Sequence, residues 1–548
     1  MAISFPITQA SPTAKTQQGL ELVTTLKSGI PLFNPDVEQD VIAFQDGSIF
    51  LKESLKGKPI AAAVIQAFHA EHDDIVVRYL PDKQVTGFKK DRLGALRKKP
   101  DRPLTQEDAL KELKKIVKAA EERGASDCRV QATPLVCIID FRINGLIQHG
   151  WRIENLETIS ELTHDNEPFS TKLTKATFTL CVNREQSPSE QRPQYGQFSP
   201  FHHLKVESNI QSVRCSWLTT SDGAHQGRLM NMRFQKPLAD MGSFADMGFT
   251  PQEVDYLRQQ REIETGLIFA VGKMGHGKST LLAKQLETRY YETNGEINMI
   301  SLEDPVEYKQ PFPQISINAS YNNEERDEAF ATHLNALMRG DVDEALLAEI
   351  RDKITLALAL RFSATGHKSW STSHVHSVFD LMPKVRDMSD GDSTIYNHKI
   401  IAAAVAQNLL PKLCPSCSTP LEDKKDNYRS LIDRLDGASV DWASCKLRNK
   451  QGCNECDATG VIGRVPVTEF LFFDSEIMGE YRNTDGGTSP ADRVRKIVQE
   501  RGYQTMLDRA LVRSLAGEVD PFMAEQTVGK FHANRLSRCL FNHKEAAE

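Results

Sequence analysis

The sequence carries no surplus of positive charge. Its 67 lysines and arginines stand against 74 aspartates and glutamates, a formal net charge of −7. Coating nucleic acid nonspecifically needs a local excess of cation, so a plainly basic nucleic-acid protein is excluded. Long apolar runs are missing too: the best, Ile400 to Leu410, is far shorter than the ~20 residues of a bilayer crossing and is interrupted by polar groups. The N-terminus, Met1-Ala2-Ile3-Ser4-Phe5, has neither the basic start nor the apolar centre of a secretory signal. Ten cysteines in 548 residues are too few for a disulfide scaffold. No internal repeat or low-complexity tract is visible. These absences point to a cytoplasmic chain without a direct membrane span.

The composition that remains is globular, 40% hydrophobic and 26% charged, spread over more residues than one core organises. At about 150 residues per domain, three or four domains are expected. Residues 1–100 read as a small module with strand-like runs at Val41 to Phe44 and Ile75 to Arg78. A basic, proline-containing stretch from Lys89 to Pro103 reads as a linker. From Thr105, which is placed to cap a helix, Leu110, Leu113, Ile116, Val117 and Ala120 recur at helical spacing. Strand-rich sequence follows to about Phe234, with Asn144-Gly145 as a hairpin signal. Beyond Pro251 strands alternate with helices, the pattern of an α/β domain with a largely parallel sheet. The expected divisions are 1–100, 105–235 and 250–548.

Gly272-Lys273-Met274-Gly275-His276-Gly277-Lys278-Ser279 fits G-x-x-x-x-G-K-[ST]. Glycines let backbone N–H groups curl around a phosphate, Lys278 reaches the terminal phosphates, and the Ser279 hydroxyl can ligate Mg²⁺. Leu267 to Val271 reads as a buried strand before the loop. Ser279 onward, with Leu282, Leu286 and Tyr290 on one face, reads as a helix whose N-terminus adds positive partial charge. Nucleotide binding is expected, through Gly272, Gly275, Gly277, Lys278, Ser279 and Thr280.

Two further strand-like runs end in acids: Ile297 to Leu302 before Glu303-Asp304-Pro305, and Glu344 to Ala348 before Glu349-Ile350-Arg351-Asp352. Ligands of a doubly wound sheet sit at the carboxyl ends of the strands. Hydrolysis there needs carboxylates to hold a hydrated metal and to orient the attacking water. Alone, Glu349, Arg351 and Asp352 would read as a solvated helix start; behind a phosphate loop the catalytic reading is preferred. His367 and His374 flank another short strand beside hydroxyls, where either a γ-phosphate contact or a structural role is open. Cys414-Pro415-Ser416-Cys417 and Cys453-Asn454-Glu455-Cys456 each place two thiolates within reach of one ion, and four sulfurs suit a structural Zn²⁺. The 35 residues between the pairs exceed the spacing of a small zinc ribbon, so a redox pair or ordinary buried thiols stay open.

With these motifs in order, the sequence resembles the secretion-superfamily hexameric ATPases that assemble type IV pili or drive type II secretion. The resemblance runs from about Gly124 to the C-terminus. It rests on the phosphate loop, an aspartate box from Ile300 through Glu303-Asp304-Pro305 to Tyr308, a variant Walker B ending Glu349-Ile350-Arg351-Asp352, and a histidine box from Thr365-Gly366-His367 to His374. Upstream, Gly124 to Asp127, Arg142 to Gly145 and Arg192 to Gly196 resemble the family's PAS-like domain. The resemblance implies an α/β fold, a RecA-like P-loop ATPase domain preceded by a PAS-like α+β domain and a small N-terminal module. It implies ATP and Mg²⁺, with Lys278 on phosphate and Ser279 on Mg²⁺. Glu349 would be the Walker B carboxylate that helps activate water, and Glu303 its companion. His367 and His374 would lie near the γ-phosphate, and Arg214 and Arg233 would reach nucleotide on a neighbouring subunit. Leu413-Cys414-Pro415 and Gly460 to Arg464 resemble the flanks of a tetracysteine insert, about 411–465. That makes Cys414, Cys417, Cys453 and Cys456 the Zn²⁺ ligands, leaves Cys445 out, and marks assembly and secretion motors. The implied partners are copies of the chain, as a hexamer, and an inner-membrane platform protein that holds the motor peripherally at the membrane; no nucleic acid is expected.

The sequence departs from the family pattern in places. Glu344 interrupts the Walker B strand, Ala348 replaces its glycine, and His376 stands where asparagine is usual. Lys273, Met274 and His276 occupy loop positions usually held by small or neutral residues. The altered strand keeps a nonhydrolysing nucleotide-gated scaffold open. A RecA-like DNA translocase is the other alternative, opposed by the net charge and by the lack of aromatic–basic stretches suited to stacking on single strands.

Overall fold

The computed structural model describes residues 41–43, 48–56 and 76–80 with a few isolated neighbours, and residues 104–536 apart from 134–135, 155–166, 183, 185–186, 190–191, 222–225, 318–322, 348, 423–427, 436–439, 484–486 and 534–535. The expected linker from Lys89 to Pro103 lies outside them, as do Phe44, Ile75 and Ala348. Strands β1 (Val41–Ala43), β2 (Ser48–Lys52) and β3 (Val76–Leu80) form a small sheet, antiparallel between the first two and parallel between the last two.

Helix α1 (Gln106–Glu122) starts at a capping box: Asp108 N–H donates to Thr105 Oγ1 at 3.3 Å, and Thr105 N–H to the Asp108 carboxylate at 2.8 Å. Its apolar stripe, Leu113, Ile116, Val117 and Ala120, is fully buried. With α2 (Phe169–Leu180) it covers one face of an antiparallel sheet made of β4 (Asp127–Ala132), β5 (Val136–Ile143), β6 (Leu146–Glu154), β7 (Gln194–Phe198), β8 (Ser212–Ser221) and β9 (Gln226–Gln235). The strand order is β6-β5-β4-β9-β8-β7. Asn144 and Gly145 join β5 to β6 with φ of 51° and 85°, as a two-residue hairpin turn requires. Alternation along the strands sends Cys128, Val213, Cys215 and Met232 to the helices, so Asp127, Arg214 and Arg233 stand on the opposite face.

The larger sheet follows. In chain order come α3 (Pro251–Glu262), β10 (Gly266–Val271), α4 (Lys278–Glu292), β11 (Met299–Glu303), β12 (Gln314–Ser316), α5 (Asn323–Leu337), β13 (Glu344–Leu347), α6 (Lys353–Ala364), β14 (Lys368–Ser373), α7 (Leu381–Met388) and β15 (Ile401–Leu413). The short β16 (Thr419–Pro420), α8 (Arg429–Leu435) and β17 (Lys446–Leu447) lead to β18 (Val461–Phe472), and α9 (Ser475–Arg482), α10 (Pro490–Glu500), α11 (Met506–Leu515) and α12 (Pro521–Val528) end the described chain. Seven strands pair in the order β12-β11-β13-β14-β10-β15-β18, all parallel except β18. Every residue of central β10 is buried. Leu267, Phe269 and Val271 pack towards α5 and α6, while Ile268 and Ala270 pack towards α3 and α4, the covering of both faces that a parallel sheet needs. The carboxyl ends of β10, β11, β13 and β14 therefore share one edge, where the phosphate loop and the acids lie. Among the described residues no helix is long and apolar enough to cross a membrane.

Glu344, the break in the Walker B strand, is accounted for at the other edge. It opens β13, is 2% exposed, and lies opposite Lys368, the first residue of β14. Its carboxylate takes the Trp370 indole N–H, with Lys368 Nζ at 3.7 Å and Arg289 Nε at 3.4 Å. Buried charge is tolerated where it is paired and hydrogen-bonded in this way. The acid holds strands together far from the phosphate loop.

Candidate functional site

The phosphate loop curls between β10 and α4 against the middle of β15, at Gln407 and Leu409. Gly272 has φ of 141°, and a Cβ there would lie 2.3 Å from the Gln407 carbonyl oxygen. At Gly277, with φ of 81°, a Cβ would lie 2.7 Å from Gln407 Nε2. Neither position accepts a side chain. The unusual loop residues are ties. Lys273 Nζ donates to the Thr527 carbonyl at 2.8 Å, and His276 Nδ1 accepts from Leu409 N–H at 2.9 Å. Burial, with Arg464, Lys273 and Lys278 nearby, lowers the His276 pKa to about 4, so this imidazole is a neutral anchor. Met274 is exposed. Thr280 Oγ1 shares a 2.7 Å hydrogen bond with the Tyr308 hydroxyl.

Lys278 leads into a hydrogen-bonded chain. Its Nζ donates to the carbonyls of Gly272 (2.8 Å) and Lys273 (3.1 Å) and lies 3.1 Å from His374 Nδ1. His374 Nε2 is 2.7 Å from Glu349 Oε1. Since an ammonium only donates, Nδ1 accepts and Nε2 carries the proton given to Glu349. Glu349 Oε2 also accepts from Arg351 Nε at 2.9 Å. A cavity of about 430 Å³ opens beside this chain, lined by Ser279, Glu303, Glu307, Glu349, Thr372 and Arg214 among others. Glu303 accepts from Ser301 Oγ (2.7 Å) and Gln314 Nε2 (3.0 Å), and burial pushes its carboxyl pKa up. The hard oxygen donors of Ser279, Glu303 and Glu349 suit Mg²⁺, which neutralises polyphosphate charge when bound.

Burial lowers the Lys278 pKa from 10.5 to about 8, against the opposing pull of Glu349 and Glu307. A polyphosphate binds the ammonium and not the amine, so binding favours the protonated lysine. Affinity for ATP is therefore expected to be flat well below pH 8, where binding takes up no proton, and to fall roughly tenfold per pH unit above the free-protein pKa, where binding takes up one. Titrating a fluorescent ATP analogue between about pH 6 and 9.5 reads this directly, and a flat profile would contradict it.

One expectation changes. His367 is not near the loop. It precedes β14, receives the Gly266 N–H on its carbonyl at 3.1 Å, and stacks on Phe362 at 4.4 Å. It thus sits at the amino edge of the sheet, about 20 Å of strand away from the carboxyl edge. His374, at the other end of that strand, is the histidine beside Lys278. Within the single chain, Arg214 and Arg233, expected to reach nucleotide on a neighbouring subunit, stand over the cleft beside the phosphate loop. Arg214 Nη1 pairs with Glu307, and Arg233 Nε with Asp127 Oδ1 at 2.9 Å. A Cβ at Gly275 would lie 3.9 Å from Arg233 Nη2. His376 is exposed, and Asp352 caps α6 through Thr355 N–H at 2.8 Å. Arg464, which the motif reading did not assign to this site, donates to the Gly275 carbonyl at 3.3 Å.

The four expected cysteines meet. Their Sγ atoms lie within 4.8 Å of one another, the only metal-type cluster among the described residues. Cys414–Cys453 is 3.7 Å, Cys453–Cys456 3.7 Å and Cys417–Cys456 3.9 Å. A tetrahedral zinc with bonds of about 2.3 Å sets sulfur–sulfur edges of about 3.8 Å, so the donor set fits the ion. Cys445 is buried elsewhere, against Leu421 and Leu447.

The family model described as "Type II/IV secretion system protein" matches residues 105–519. The chain belongs to that family. Within it, "Type II secretion system ATPase E" of Vibrio cholerae is 27% identical over 376 residues, 68% of this chain and 67% of that protein. "Type II secretion system protein E" of Dickeya dadantii is 31% identical over 362 residues, 65% of this chain and 64% of that one. "Type IV pilus assembly ATPase PilB" of Thermus thermophilus is 24% identical over 486 residues, 87% of this chain and 50% of its own length. The shared stretches thus span half to two thirds of these relatives. The solved structure of the Legionella pneumophila ATPase DotB covers 78% of this chain and 97% of its own, at 17% identity and a TM-score of 0.50, a likeness of fold. In this secretion-family chain the phosphate loop, both acidic strand ends and the cysteine cluster all fall inside the matched residues.

Proposed function

We propose that this secretion-family chain is an ATP-hydrolysing hexameric motor that powers type IV pilus assembly or a type II-like secretion machine from the cytoplasmic side. The observation that carries the reading is the connection Lys278–His374–Glu349 across the carboxyl edge of the sheet, at 3.1 and 2.7 Å. In the reaction, backbone N–H groups of residues 275–279 and the Lys278 ammonium hold the β- and γ-phosphates. Glu349 takes a proton from a water whose oxygen attacks the γ-phosphorus, and the bond to the bridging oxygen breaks to leave ADP and phosphate. Ser279 would hold Mg²⁺. Arg214 and Arg233 exchange Glu307 and Asp127 for phosphate oxygens of the nucleotide on a neighbouring subunit as the 105–235 sheet, read as the PAS-like domain, moves against the RecA-like domain. The tetracysteine insert holds structural zinc, and an inner-membrane platform protein receives the motion.

Phosphate release against protein concentration tests this. Specific activity is expected to rise with concentration, because a ring completes each site, and to vanish in Lys278→Ala. No phosphate release at any concentration would favour the nonhydrolysing scaffold, and activity independent of concentration down to a monomeric sample would remove the shared site.

A further inference from the structure

The connection after β14 brings a second lysine to the loop. In α7, Leu381, Met382 and Val385 are buried in the main core, which fixes the register of the helix. Lys384 is thereby turned towards the end of β14, where its Nζ donates to Ser373 Oγ at 3.1 Å. Ser373 is buried and lies opposite Val271, the residue before the phosphate loop, in the parallel pairing of β10 and β14. Lys384 as a whole is half-buried, and among the described residues no carboxylate pairs with its ammonium. Its charge is felt by both Lys278 and His374, lowering the pKa of each. Two ammonium groups and an imidazole thus converge around one strand end, and the only partner of the second ammonium there is a neutral hydroxyl. A cation so placed is satisfied by an anion.

We propose that Lys384 is a second phosphate-binding cation, specific for the terminal phosphate of a nucleoside triphosphate. The inference rests on the reading of the loop as an ATP site. The position selects the γ-phosphate over the β. Ser373 adjoins His374, which reaches Glu349 on the side where water attacks, whereas the β-phosphate belongs to the backbone N–H groups of the loop. Lys384 therefore distinguishes triphosphate from diphosphate, and because it rides on α7 it ties that helix to the presence of the γ-phosphate.

The test compares the full-length protein and its Lys384→Met variant by calorimetric titration with a nonhydrolysable β,γ-imido ATP analogue and, separately, with ADP, both with Mg²⁺. The variant is expected to lose roughly 10–100-fold in affinity for the analogue, the effect of one hydrogen bond to a charged group, while ADP binds as to the wild type. Lys384→Arg is expected to recover most of the analogue affinity. Unchanged ADP binding also shows that the variant site is folded. Equal losses for both nucleotides, or none for either, would overturn the proposal for Lys384. Failure of the wild type to bind either nucleotide would overturn the reading of the loop itself, and Lys384 with it.

Discussion

Glu349→Gln is expected to leave ATP bound and to slow hydrolysis by about 10²–10⁴-fold, the range lost with a general base. Glu349 and Glu303, the two carboxylates expected to serve the reaction, both line the cavity, and the geometry decides between them. Both oxygens of Glu349 face charged or hydrogen-bonding partners that belong to the site, His374 and Arg351, and its strand ends beside the one that carries His374. Glu303 is instead held through one oxygen by Ser301 Oγ and Gln314 Nε2, at the end of β11, which lies on the far side of β13 from the strand that leads to His374. A glutamine at 349 keeps an acceptor for the His374 N–H, so the variant folds and binds but cannot take the proton. Single-turnover hydrolysis with a binding titration on the same sample separates the two effects. Retained hydrolysis in Glu349→Gln with loss in Glu303→Gln would exchange their roles. Loss of nucleotide binding would mean that the carboxylate supports the loop and not the water.

The contrast between the two histidines shows what the sequence could and could not say about this site. The phosphate loop was legible because its constraints are local: a buried strand, glycines at positions that exclude a Cβ, and a helix beginning at Lys278. His367 and His374 were equally visible, seven residues apart, but a six-residue strand separates them, and only the direction of that strand in a parallel sheet says which end meets phosphate. Glu344 read as a defect in the Walker B strand because its partner, Lys368, is distant in sequence and adjacent only through strand pairing. The arginines of the smaller sheet could be placed on a common face by alternation, but not over their own chain's cleft. That depends on packing between the two sheets, through contacts such as Arg214 with Glu307.

The cysteine cluster makes the second large prediction, since its consequences reach beyond the metal. Purified wild-type protein is expected to carry one zinc per chain, and Cys417→Ser to carry none, with cleavage by protease inside 414–460. Metal ligation would fix the insert far more firmly than its short β16–β17 pairing does: structural zinc contributes about 10–16 kcal/mol in small zinc-dependent folds. Three contacts then transmit the loss. Asp457 pairs with Arg123 at 3.1 Å and the Val461 carbonyl accepts from Asn144 Nδ2 at 3.3 Å, both on the 105–235 region, while Arg464 holds the Gly275 carbonyl of the phosphate loop. Loosening the insert releases the smaller sheet and the loop together, so affinity for ATP should weaken by roughly tenfold, the cost of one charged hydrogen bond. Zinc content by mass spectrometry, proteolysis and nucleotide titration of the same two proteins check each step. A metal-free wild type would remove the ion from the site. A zinc-free variant that resists protease and binds ATP normally would show that the insert is held by its protein contacts alone.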